Sequence, residues 1–169
     1  MGVPVRLSPE EYNAYREFYR PFKEHLLDKG FHSIGEGSFR VTYQRKNIVI
    51  KVPLNRDGVE DNMAEARGWH KYHNQPTKRG LFLAPCRLLP NNSLMMVHVK
   101  RVSYESAPDW AKSIDSHQAG TYKGRIVAYD YGLELLERDE WEKEWGDDPT
   151  SFYRNSYFKK TNDKVRAEK

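Results

Sequence analysis

Residues 35–40 read Gly-Glu-Gly-Ser-Phe-Arg, and Lys51 follows inside an apolar run, Ile48-Val49-Ile50-Lys51-Val52. Two glycines flanking one residue let backbone N–H groups approach phosphate oxygens closely, because no Cβ stands in the way. The loop is not a dinucleotide-binding turn, since a strand rather than a helix follows it. Nor is it a Walker A loop, since no Gly-Lys-Ser/Thr closes it. Taken alone it also fits a simple hairpin turn.

The next strand adds a charge. Side chains alternate along a strand, so Val49 and Lys51 share one face while Ile48, Ile50 and Val52 share the other. An ammonium among apolar neighbours is costly unless paired. Glu65, on the helix that follows, can supply the partner. The other reading is a lysine that snorkels from an edge strand, and the residues alone leave both open.

The elements that must position these groups follow from periodicity. Ser8-Pro9-Glu10-Glu11 starts a helix, with Ser8 as cap, Pro9 in the first turn and Glu11 completing a capping box. Gly30 stops it, and Pro21 should kink or split it. Tyr12, Tyr15, Phe18, Tyr19, Phe22 and Leu26 form its apolar face. Residues 31–35, 39–45 and 47–53 read as three strands, then 57–72 as a helix. Residues 81–89 and 93–102 form a hairpin around Pro90-Asn91-Asn92. A short helix is expected at 107–114, a turn at Tyr122-Lys123-Gly124 into a strand at 125–129, and a helix at 133–145. Beyond Asp148 the chain turns polar and then basic.

Composition sets the outer bounds. The chain has 169 residues, 38% of them hydrophobic and 31% charged, enough for one domain of two small lobes. A net charge of +4 suits an anionic ligand but falls short of a nucleic-acid-binding surface. The basic tail has few aromatics beyond Phe152, Tyr153, Tyr157 and Phe158, so nucleic acid is not the expected partner. Cys86 is the single cysteine and reads as core, so neither an intrachain disulfide nor a thiolate metal site is expected. There is no bilayer-spanning run and no signal-peptide h-region, and Arg6 stands where myristoylation needs Ser or Thr. The expectation is a cytoplasmic protein without a membrane association. His70 and His73 are spaced to share a metal but read as surface histidines, no third ligand being near. The acidic run 137–144 carries Trp141 and Trp145 one helical turn apart and reads as a solvated helix with two anchors.

Ile34-Gly35-Glu36-Gly37-Ser38-Phe39, then Val49-Ile50-Lys51-Val52, then Glu65 in a helix, resembles the small lobe of eukaryotic-like protein kinases. The resemblance implies an α+β, protein-kinase-like fold: a five-stranded antiparallel small lobe with one helix, and a truncated second lobe. It implies ATP and Mg²⁺ as cofactors. Gly35, Gly37, Ser38, Phe39 and Arg40 would cover the phosphates, Lys51 would contact them, and Glu65 would hold Lys51. Val49 would line the nucleotide pocket, Met96 would lie near the gatekeeper position, and Val97, His98 and Val99 near the adenine-binding hinge. Asp130-Tyr131-Gly132 resembles the Asp-Phe-Gly motif, whose aspartate holds Mg²⁺. Asp115 matches the catalytic aspartate, which would orient an acceptor hydroxyl.

The chain departs from the family in several places. Arg40 replaces the third loop glycine, where it could add a phosphate-facing charge, and Thr42 replaces a valine. No His-Arg precedes Asp115. The second metal-binding asparagine has Gln118 as its best chemical substitute, with His117 as the alternative register. No Ala-Pro-Glu motif follows Gly132, and residues 133–169 leave no room for the large helical lobe that binds peptides. The expected organisation is an N-terminal helical segment at 1–30, a small lobe at 31–102, a minimal second lobe at 103–148 and a tail at 149–169. The implied function is ATP/Mg²⁺ binding with phosphorylation of a protein Ser, Thr or Tyr. A module without catalysis that docks on a partner protein is the alternative, and a small-molecule kinase a further one. Such compactness would suit a viral protein acting in a host cytoplasm.

Overall fold

The computed structural model describes residues 8–73, 75–77, 82–109 and 118–131. Asp115, His117, most of the expected helix at 107–114, the helix at 133–145 with its tryptophan pair, and the basic tail lie outside the described residues.

The chain begins with α1 (Pro9–Asp28), which starts as its sequence dictates. The Ser8 hydroxyl accepts the Glu11 N–H at 3.2 Å, and the Glu11 carboxylate accepts the Ser8 N–H at 3.0 Å. Gly30, at φ +83°, ends it, with its N–H on Leu27 O and that of Phe31 on Leu26 O. Of the kink or split expected at Pro21, the split does not occur, and the helix runs on through it. Pro21 and Glu17 are both exposed, so the carbonyl that loses its amide partner lies on the solvent side.

A five-stranded antiparallel sheet follows, in the order β1-β2-β3-β5-β4. Its strands are β1 (His32–Glu36), β2 (Arg40–Arg45), β3 (Ile48–Pro53), β4 (Cys86–Leu88) and β5 (Leu94–Val97). Helix α2 (Arg56–Tyr72) lies between β3 and β4 in the chain. The architecture is therefore α+β, with two helices on a five-stranded antiparallel sheet. A second, three-stranded sheet joins β6 (Lys100–Arg101), β7 (Ala119–Tyr122) and β8 (Arg125–Ala128) in that order. The turn between β7 and β8 places Lys123 at φ 48° and Gly124 at φ +74°, as Tyr-Lys-Gly predicts.

The two faces of the large sheet have different roles. Val41, Tyr43, Ile50 and Val52 pack with Tyr19 and Leu26 of α1 in one core cluster. Register puts Thr42 opposite Lys51, Gln44 opposite Val49, Lys51 opposite Leu94 and Val49 opposite Met96. These residues therefore share the other face, which α2 covers in part. Lys51 thus sits in a central strand, flanked on both sides by paired neighbours, and the edge-strand snorkel is ruled out by the topology.

The second sheet is tied to the first through the segment before β4. Ala84 N–H donates to Ala128 O at 2.8 Å, and Ala128 N–H donates to Phe82 O at 2.8 Å. This carries residues 129–131 to the Lys51 face. Gly120 has a steric reason: a Cβ there would lie 2.7 Å from Lys100 O and from Val99 Cγ2.

Candidate functional site

Four charged side chains from four separate segments meet on the Lys51 face. The Lys51 ammonium donates to Glu65 Oε2 at 2.9 Å and to the Tyr129 carbonyl at 2.6 Å. Arg40 donates through Nη1 to Glu65 Oε1 at 2.8 Å and through Nη2 to Asp130 Oδ1 at 2.6 Å. Glu65 is fully buried, Lys51 and Arg40 nearly so, while the Asp130 side chain is 34% exposed. Asp130 is the most exposed group of the four, at the open edge of the network.

Asn62 locks this arrangement from α2. One turn before Glu65, it accepts the Arg40 Nη1 at 3.1 Å and donates to the carbonyls of Lys51 and Asn92 at 3.0 and 2.8 Å. Its amide is completely buried, so each of these bonds replaces water that is gone. Behind Glu65, Tyr131 donates to Ala84 O at 2.9 Å and lies 3.1 Å from Cys86 Sγ. Burial pushes the Cys86 thiol up to about 12, so it is a core group and not a nucleophile.

The glycine turn is anchored to the start of α2. Asn55 caps the helix by accepting Gly58 N–H at 3.0 Å, and the same amide donates to Ser38 O at 3.0 Å. Leu54 N–H donates to Phe39 O at 2.8 Å, and Gly37 N–H donates to Arg40 O at 2.9 Å. The Gly37 N–H therefore closes the turn and is not directed at an anion. Gly58 permits the contact, because a Cβ on it would stand 2.1 Å from Phe39 O.

The remaining expected site residues fall as follows. Gly35 is exposed in β1 with open space where a Cβ would be, and Phe39 is exposed at the turn. Val49, Met96 and Val99 are buried, Val97 is half-buried and His98 exposed. The His98 N–H donates to Asn47 O at 2.8 Å and that of Val97 to Pro85 O at 3.1 Å. Gln118 is half-buried, and its carbonyl accepts the Tyr129 N–H at 3.2 Å, next to Asp130. Arg40, Lys51, Glu65 and Asp130 are thus brought into direct contact. Asp115 lies outside the described residues.

Electrostatics shape two carboxylates here. Burial would raise the Asp130 carboxyl, but Lys51 and Arg40 outweigh it and hold the group below its ordinary range. Asp61, half-buried on α2, is pushed up to about 6, by burial first and then by Glu65 and Asp130 against the opposing pull of Arg40. Asn62, Asp61 and Asn55 escaped the sequence reading. Spacing held a signal for two of them: Asn62 and Asp61 precede Glu65 by three and four positions, which puts them on its side of α2.

The described residues fit a divalent ion at Asp130 poorly, because Arg40 already holds one of its two carboxylate oxygens. Mg²⁺ requires near-octahedral oxygen ligands at ~2.0–2.1 Å, and Asp130 Oδ1 already holds a guanidinium nitrogen at 2.6 Å. Among the described residues no group of three His, Cys, Asp or Glu is placed to hold a metal. No helix among the described residues is long and apolar enough to cross a membrane.

Comparison of the chain with protein-family models, with curated proteins and with solved structures gives no match.

Proposed function

We propose that the chain is a protein-kinase-like module that binds the phosphates of ATP at Lys51. The observation that carries this reading is the Lys51–Glu65 pair at 2.9 Å, with Asp130 joined to the same network through Arg40. A lysine in the middle of a central strand gains nothing for folding that an apolar residue of similar volume would not supply. Its presence is better explained by an anionic ligand. Glu65 fixes the ammonium in place, and the buried Val49 and Met96, opposite each other on the same face, provide an apolar neighbourhood for a base. Phosphorylation of a protein hydroxyl would further require Asp115 to orient the acceptor.

A thermal-shift series tests the reading. ATP at millimolar concentration should raise the melting temperature of the full chain, and Lys51→Ala should abolish the shift. No shift in the wild-type chain, with or without Mg²⁺, overturns it.

One observation favours the alternative of a module that acts by docking on a partner protein. The positive charges of Arg40 and Lys51 are already balanced by Glu65 and Asp130, so the network is complete without a ligand. Under that reading Lys51→Ala would change stability and leave any nucleotide response at zero.

A further inference from the structure

Arg40 stands where the kinase-like pattern has its third loop glycine, and it is the least expected member of the network. Its side chain is 10% exposed. Nη1 binds Glu65 and Asn62, and Nη2 binds Asp130. Both carboxylates that face the Lys51 site are thereby joined through one guanidinium. Burial works against the charge of Arg40, but Glu65 and Asp130 outweigh it and drive its pKa further up, so the group stays cationic at every working pH. Unlike a histidine or lysine, it does not vacate its position by losing a proton.

A divalent ion approaching Asp130 would meet that fixed charge. To use Oδ1 it would have to displace a charge-assisted bond of 2.6 Å and leave Arg40 with Glu65 as its only carboxylate in a nearly dry site, and at Oδ2 it would sit beside a guanidinium cation. A phosphate faces no such conflict. These bonds use three of the five guanidinium N–H groups, and the planar fork suits phosphate as well as carboxylate.

We propose that Arg40 is a built-in replacement for the divalent ion at Asp130, so that the site takes a nucleoside triphosphate without metal. The nucleotide part of this rests on the proposed function; the exclusion of metal from Asp130 does not. The position is set by the fold. The turn that carries Arg40 is held on α2 by Asn55 and Leu54, and Gly58 leaves the space for it.

Equilibrium dialysis of the full chain against labelled ATP, in EDTA and in millimolar MgCl₂, tests the nucleotide part. The dissociation constants should agree within about threefold. Binding that appears only with Mg²⁺ overturns the proposal and leaves the nucleotide reading standing. Absence of binding in both solutions removes the nucleotide reading, and a second measurement then decides on Arg40. In electron paramagnetic resonance the wild-type chain should leave Mn²⁺ free. Arg40→Gly and Arg40→Gln should each gain a Mn²⁺ site that Asp130→Asn removes. Mn²⁺ bound by the wild-type chain and released by Asp130→Asn overturns the proposal, as does failure of the folded Arg40 variants to gain a site. Should both variants fail to fold, the wild-type and Asp130→Asn titrations decide alone.

Discussion

Arg40 and Asp130 are ninety positions apart in the chain, yet a guanidinium nitrogen of the first lies 2.6 Å from a carboxylate oxygen of the second. The contact joins the glycine turn to the segment after β8, and Glu65 of α2 stands between them as the shared acceptor of Arg40 and Lys51. Glu65 is the hub, because among the described residues it is the one carboxylate that bonds both cations.

Glu65→Ala should therefore destabilise the chain more than Lys51→Ala. The first leaves two buried cations short of a partner, at a cost of about 3–5 kcal/mol. The second leaves Glu65 with Arg40, and the loss should be smaller. Urea unfolding of both variants checks the order, and a reversed order would remove Glu65 from the centre of the network.

Asn62→Leu should cost about 1–3 kcal/mol for each polar group it orphans, the candidates being the Lys51 and Asn92 carbonyls. The same denaturation experiment measures it. Neutral behaviour would mean that the buried amide is dispensable.

Gly58→Ala sets two effects against each other. Alanine favours a helix interior by up to about 1 kcal/mol over glycine. Its Cβ would, however, lie 2.1 Å from the Phe39 carbonyl oxygen, and both are backbone-anchored. Overpacking of this kind costs about 1–3 kcal/mol, so the net change should be destabilising. Hydrogen exchange should show faster opening of residues 37–40, since the turn is pushed off α2.

The pH dependence has two opposed parts. Asp61 is raised from 3.8 to about 6, so its contribution to stability is present below pH 3.8 and is lost as pH rises through about 6. Asp130 is held below 3.8, so its contribution is present above that value and is lost as pH falls through the lower folded value. Melting temperatures of the wild type and Asp61→Asn, taken from pH 4 to pH 7, should converge at the acid end. Towards neutrality Asp61→Asn should become the more stable of the two. Parallel curves would contradict the assignment of the raised group to Asp61.

Much of this fold was legible in the residues. The Ser8–Glu11 capping box, the Gly30 stop and the Lys123-Gly124 turn each carry a local instruction that tertiary packing did not override. Alternation along β3 put Val49 and Lys51 on one face, and Glu65 was named as the partner that Lys51 then makes. What escaped was non-local. Nothing in residues 35–40 says that Arg40 turns inward, because its direction is decided by Glu65, Asn62 and Asp130 together. Likewise the commitment of the Gly37 N–H to Arg40 O depends on the anchoring of the turn by hydrogen bonds from Leu54 and Asn55, with Gly58 leaving room for it. Pro21 does not break α1, because a proline on the solvent side of a long amphipathic helix loses one bond without losing the packing beneath it.

The central claim is that Lys51 is a phosphate-binding cation and more than part of a folding network. Isothermal titration of ATP into the wild-type chain and into Lys51→Met, both verified as folded, tests it most directly. Saturable binding to the wild type and at least about tenfold weaker binding to Lys51→Met are expected. Equal affinity in the two proteins, or no heat of binding in either, would contradict it.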